Sequence, residues 1–159
     1  MNAIRFRKLL TSIIIVQVAG LIGSAASFRA INSWYAFLVK PTFNPPNWLF
    51  GPVWTTLYIL MGVALYRVWN KGLGKKRVRV AFWLFIVHLF FNTGWSVVFF
   101  GFHSLFGGFI ALLVLWAMIV ALIWKFYEID RWAAFLLVPY LLWVSFAGVL
   151  NVALWLLNR

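Results

Sequence analysis

Five apolar stretches, each near the length of a bilayer crossing, dominate this chain and leave few folds open to it. They run over about 9–27, 48–69, 80–102, 107–127 and 132–157. A helix needs about 20 such residues to cross the hydrocarbon core, where each backbone N–H and C=O must be satisfied within its own segment. The pattern predicts an all-α integral membrane protein, a five-transmembrane-helix bundle forming one domain over 1–159. Charged residues make up 10% of the chain, against about 25% in a typical soluble domain. So little polar surface would not cover a water-soluble globule. The first stretch, preceded by RFRK and ending in SAAS, also fits a secretory signal peptide with a small-residue cleavage site. Length alone does not separate the two readings.

The same scarcity of polar groups excludes much chemistry. There is no cysteine, so thiol catalysis, disulfides, iron–sulfur clusters and thiolate zinc sites are ruled out. The only acids are Glu128 and Asp130, close together in one short join, which leaves little material for a pair of catalytic carboxylates. No metal-ligand cluster is present in the sequence.

A net charge of +12 and the run KGLGKKRVR (71–79) would suit nucleic acid. Orientation in a membrane accounts for them better. With the amino terminus in the cytoplasm, eleven basic residues fall inside: Arg5, Arg7, Lys8, Arg67, Lys71, Lys75, Lys76, Arg77, Arg79, Lys125 and Arg131. Only Arg29, Lys40 and Arg159 fall outside. That is the asymmetry of the positive-inside rule, and the basic loop then meets anionic headgroups of the lipid bilayer. No nucleic-acid partner is expected. The carboxyl end and the loop 28–47 lie outside, and the bias suits a prokaryotic cytoplasmic (inner) membrane.

That external loop carries KPTFNPPNW (40–48). Proline fixes φ and pushes its predecessor toward extended conformations, so the segment reads as a stiff strap. Asn47 is expected to cap the second helix, with Trp48 in its first turn. Pro52 removes one backbone bond about a turn in. Deeper along that helix, Trp54 and Tyr58 share a face.

Two further helices carry matching stripes. In the third, His88, Asn92, Trp95 and Ser96 are spaced i, i+4, i+7, i+8; in the fifth, Tyr140, Trp143, Ala147 and Asn151 follow Pro139. Polar side chains at bilayer depth rarely face lipid. They either hydrogen-bond between helices or line a cavity, and tryptophan, tyrosine and asparagine together are the usual mixture of a ligand pocket. Flat aromatic walls would favour a planar hydrophobic ligand. If such a ligand carries carboxylates, Arg29 and Lys40 at the mouth are the nearby cations. A lone histidine in such a stripe is more often a hydrogen-bonding group than an iron ligand, so no metal site is assigned to His88. Gly20…Ser24 and Gly23…Ser27 have the small-xxx-small spacing of helix dimers, which is too common to decide anything.

The stretches WYAFLVKPTFNPPNWLFGPVWTTLYILMGVALYRVW (34–69), FNTGWSVVFFG (91–101) and LLVPYLLWVSFAGVLN (136–151) resemble the translocator protein family, also called tryptophan-rich sensory proteins or peripheral-type benzodiazepine receptors (TspO/MBR). The resemblance implies a five-helix bundle, commonly a homodimer, that binds porphyrins such as protoporphyrin IX and haem. Porphyrin is then a ligand, and no cofactor is required. The family layout also argues for keeping the first helix. Carried to matching positions, pocket residues would be Tyr35, Pro45, Trp54, Asn92, Trp143 and Ala147; Tyr58, His88 and Trp95 join them from the stripes alone.

Two departures from the family pattern stand out. His88 takes the place of the usual glutamine, and Val152 and Leu156 break the tyrosine–basic pattern of the cholesterol motif, so strong sterol binding is not expected. Three functions compete. The first is a membrane receptor or sensor for porphyrins, with a role in their transport. The second is an enzyme degrading porphyrin with light and oxygen through Trp54 and Trp143, the candidate catalytic pair. The third is an interaction scaffold.

Overall fold

A computed structural model describes residues 3–159. Among these described residues, five helices are long and apolar enough to cross a membrane. The first is α1 (Ala3–Ile31), followed by a single helical turn, α2 (Trp34–Phe37), and the strap. Then come α3 (Asn47–Trp69) and α4 (Lys76–Ser96), the latter running on into a π-helical turn, Val97–Gly101. The last crossings are α5 (Leu105–Tyr127) and the pair α6 (Arg131–Phe135) and α7 (Val138–Leu157). Together these make an all-α, multi-pass integral membrane protein.

Local chemistry explains most departures from the expected boundaries. Loop 28–47 is shorter than expected because α1 runs on to Ile31 and Trp34–Phe37 coils once more. Asn47 does not cap α3. The cap position is Pro46, already extended at φ −62° and ψ 143°, and no side chain bonds the first turn. The fifth crossing is divided near Leu136 and Leu137, because Pro139 has no N–H to continue the preceding turn and instead begins α7. At α5, Ser104 Oγ accepts the Gly107 N–H at 3.1 Å and caps the helix.

The core is a layer of side chains fully withdrawn from the surface, among them Met61, Leu65, Phe85, Leu115, Ile119 and Phe126. Outward faces are apolar too, with Ile22, Phe90, Trp124 and Leu142 exposed where lipid would lie. Helices α1 and α3 meet closely at Gly62, where an added Cβ would lie 2.8 Å from the Ile13 Cα. Only glycine lets the two backbones approach so far, a packing device that substitutes for the hydrophobic effect between helices in lipid.

Charge is sorted by end. Asp130 receives Arg67 Nε and Nη2 at 3.0 and 3.1 Å, stands 3.3 Å from Lys71 Nζ, and caps α6 by accepting the Ala133 N–H at 3.1 Å. Lys8 lies over the Trp69 ring at the same end. Burial alone would raise the Asp130 carboxyl, but the Ala133 N–H, Arg67 and Lys71 overcome it and hold the group below its ordinary range. A carboxyl depressed on folding contributes stability that is present above its unfolded value and lost as pH falls through the folded one. Asp130→Asn keeps a good helix cap but removes the charge and turns one of the two oxygens that accept from Arg67 and Lys71 into a donor. The variant should unfold about 1–2 kcal/mol earlier than the parent at pH 7. That gap should close as the pH is taken below about 4, as read by denaturation in detergent across a pH series.

Candidate ligand cavity beneath the proline strap

The strap is held at both sides. Tyr35 points inward from α2 and its hydroxyl donates to Asn44 Oδ1 at 2.7 Å, while Asn44 Nδ2 donates to the Pro45 carbonyl at 2.9 Å. Burial raises the Tyr35 phenol to about 12, partly opposed by the Asn44 bond, so it stays a neutral donor. At the far side the Asn158 carboxamide pairs with Val39 as a backbone would, accepting from its N–H and donating to its carbonyl, both at 2.9 Å. The end of α7 is thereby tied to the strap.

Beneath this cover lies a cavity of about 300 Å³ enclosed by α1, α3, α7 and the end of α4. Its main wall is a ladder of rings. Trp54 stands 5.4 Å from Tyr58 and 6.2 Å from Trp95, and Trp95 stands 5.7 Å from Phe99, with successive planes inclined by only 28–31°. Phe50, Ala147 and Asn151 close the α3–α7 side, and Gln17, Gly20 and Ser24 close the α1 side. A Cβ on Gly20 would collide with the Tyr58 ring, so this glycine makes room for the lower rung.

Behind the ladder sits a polar knot. Tyr58 Oη donates to Asn92 Oδ1 at 3.0 Å, Asn92 Nδ2 donates to Tyr140 Oη at 2.9 Å, and His88 Nε2 shares a 2.9 Å hydrogen bond with that same hydroxyl. His88, Asn92 and Tyr140 are all buried. The knot joins α3, α4 and α7 and fixes the ladder from behind.

Of the residues singled out from sequence, Tyr35, Trp54, Tyr58, Trp95 and Ala147 line the cavity together. His88 and Asn92 stand one layer back, their polar atoms turned to Tyr140 and Tyr58. Trp143 packs edge-on against Phe50 at 5.9 Å, and Phe50 forms the wall at that point. Of the two candidate redox tryptophans, only Trp54 thus reaches the cavity. Pro45 is buried in the strap and lies outside the lining. Neither mouth cation lines the cavity: Lys40 Nζ donates to the Ala36 and Leu38 carbonyls at 3.0 and 3.2 Å and sits 5.0 Å above the Tyr35 ring, while Arg29 is exposed on the last turn of α1.

The resemblance implies a first-helix wall, but none of its lining residues was singled out from sequence. Its signal was legible: Gln17, Gly20, Ser24 and Ser27 recur at helical spacing, and a glutamine at bilayer depth seldom faces lipid. The small residues at the helix-dimer spacing are divided between the cavity and α4, with Ser24 at the exposed edge. Gly20, Ser24 and Ser27 face the cavity, and Gly23 packs against Ser96 of α4.

Fold and site together define a five-span membrane protein with an aromatic-walled cavity under a pinned loop. The TspO/MBR family model matches residues 12–156. Tryptophan-rich protein TspO of Chlorobaculum tepidum is 45% identical over 139 residues, covering 87% of this chain and 88% of its own. The protein of the same name from Archaeoglobus fulgidus is 40% identical over 152 residues, covering 95% and 97%. The translocator protein of Bos taurus is 34% identical over 145 residues, covering 90% and 85%. The chain belongs to the TspO/MBR family.

Proposed function

We propose that this protein is a membrane receptor or sensor that binds porphyrins, protoporphyrin IX and haem among them, in the cavity beneath the strap. The observation that carries this reading is the Tyr58–Trp54–Trp95–Phe99 ladder. Four rings in succession, each inclined by about 30° to the next, line the cavity with contiguous aromatic surface against which a planar macrocycle gains buried area. Relatives with names such as translocator protein and tryptophan-rich sensory protein favour the same class of role. The eleven-to-three division of basic residues supports an amino terminus in the cytoplasm of a prokaryotic inner membrane, with the strap and carboxyl end outside. Homodimer formation and a part in porphyrin transport belong to this reading and rest on the family resemblance alone.

Among the described residues no histidine, cysteine or methionine lines the cavity, and its two tyrosine hydroxyls are engaged with Asn44 and Asn92, so the chain's contribution to holding haem would be contact with the ring. Iron should then matter little. Titrating purified protein with protoporphyrin IX should quench intrinsic tryptophan fluorescence saturably, and haem should bind within about threefold of the same affinity. Absence of saturable quenching by either would remove the reading.

A further inference from the structure

The cavity opens to one flank of the bundle. Of the described residues that line it, the exposed ones are Leu21 and Ser24 on α1 and Asn47, Gly51 and Thr55 on α3. The lining from α4 and α7 is withdrawn from the surface by contrast, with Phe99 3% and Leu154 1% exposed. The seam between α1 and α3 explains the difference. Away from the strap the two helices touch: an added Cβ on Gly62 would reach the Ile13 Cα, and one on Gly20 would meet the Tyr58 ring. Toward the strap they part, and an added Cβ on Gly51 would have no atom within 4 Å. On its other flank α1 is fixed to α4, where Thr93 Oγ1 donates to the Ala19 carbonyl at 3.0 Å and Gly23 packs against Ser96.

Two ways into the cavity can be compared by the bonds each would break. Lifting the strap breaks the Tyr35–Asn44 bond on one side, or both bonds between Val39 and Asn158 on the other. The slot demands no such loss. Ser24 Oγ donates to the Leu21 carbonyl at 2.8 Å and Thr55 Oγ1 to the Gly51 carbonyl at 2.9 Å, so both rim hydroxyls are turned back on their own helices. The rim therefore presents carbon to whatever passes. Its residues belong to two membrane-spanning helices, so what lies outside is hydrocarbon, where an apolar solute collects in preference to water.

We propose that ligands enter and leave sideways, through the slot between α1 and α3, from the lipid of the leaflet on the strap side. The strap is then a fixed roof, and the bilayer is the compartment from which the cavity fills. The inference rests on the cavity being the ligand site, and it adds the route by which a membrane-dissolved ligand reaches that site.

The chain has no cysteine, so introduced thiols would be its only ones. Leu21→Cys with Thr55→Cys, joined by a short bifunctional methanethiosulfonate, bridges the slot. Val39→Cys with Asn158→Cys, joined in the same way, locks the roof instead. Each full chain is placed in lipid nanodiscs, and protoporphyrin IX exchange is followed by tryptophan quenching before bridging, after it, and after reductant, with the bridge confirmed by intact mass. The slot bridge should slow association and dissociation alike, by about tenfold or more, and reductant should restore both. The roof bridge should leave both rates within about twofold. Equal slowing marks a gate, whereas a bridge that merely crowded the cavity would speed release. If the slot pair does not bridge, benzyl methanethiosulfonate on Thr55→Cys alone fills the slot and should slow both rates likewise. Two outcomes overturn the slot while leaving the cavity reading intact: the roof bridge slows exchange and the slot bridge does not, or quenching is saturable and neither bridge changes the rates. If the unbridged parent shows no saturable quenching, the cavity reading fails and the slot fails with it.

Discussion

Tyr140→Phe should cost the bundle about 2 kcal/mol although it removes a single buried oxygen. That oxygen takes the Asn92 Nδ2 hydrogen bond and shares another with His88 Nε2, both at 2.9 Å, and the ring bearing it is 1% exposed. Deleting it leaves two buried groups unpaired on α4. An orphaned neutral group costs about 1–3 kcal/mol, whereas hydrogen bonds between membrane helices average only about 0.6, because the unpacked helices also find partners. The lower part of the two-orphan range is therefore the reasonable expectation. Tyr58→Phe supplies the control. Its hydroxyl makes one bond, to Asn92 Oδ1, at the edge of the cavity, and removing it should cost less than half as much. Equilibrium unfolding of the three proteins in mixed detergent micelles measures both differences. Equal losses would mean that the knot is not organised around Tyr140.

The same knot marks where sequence reading stopped. Five crossings were legible because hydrophobic length is a one-dimensional property, and α3 and α5 fall within two residues of the expected limits. The stripes on α3, α4 and α7 were legible because helical spacing puts i, i+4 and i+7 on one face. What spacing does not encode is depth behind that face. His88, Asn92 and Trp95 share a stripe, yet of the three only Trp95 borders open space, because Tyr140 reaches across from α7 to His88 Nε2 and Asn92 Nδ2 while Tyr58 holds Asn92 Oδ1. Trp143 shows the same limit from the other side, with Phe50 standing at the wall where the indole was expected. Lys40 was placed at the mouth by its position in the loop. Its ammonium instead serves the carbonyls of Ala36 and Leu38, a local bond that composition and charge do not announce.

Ala147→Trp should abolish most porphyrin binding, by about a hundredfold or more, with helix content unchanged. Ala147 lines the cavity from α7, and an indole placed there would fill much of a space of about 300 Å³. Crowding a packed interior costs about 1–3 kcal/mol, and the upper end of that range corresponds to roughly a hundredfold in affinity. The neighbouring Gly148 lies off the cavity, in a groove between α5 and α7 on the other side of the helix, and an added Cβ there meets nothing within 4 Å. Gly148→Leu therefore enlarges the same helix at the next residue without entering the cavity, and should bind protoporphyrin IX within about threefold of the parent. The pair separates exclusion of ligand from a general disturbance of α7. If both variants lose binding equally, α7 is being displaced as a body. If Ala147→Trp titrates like the parent, the porphyrin lies elsewhere, and the ring ladder is packing between helices.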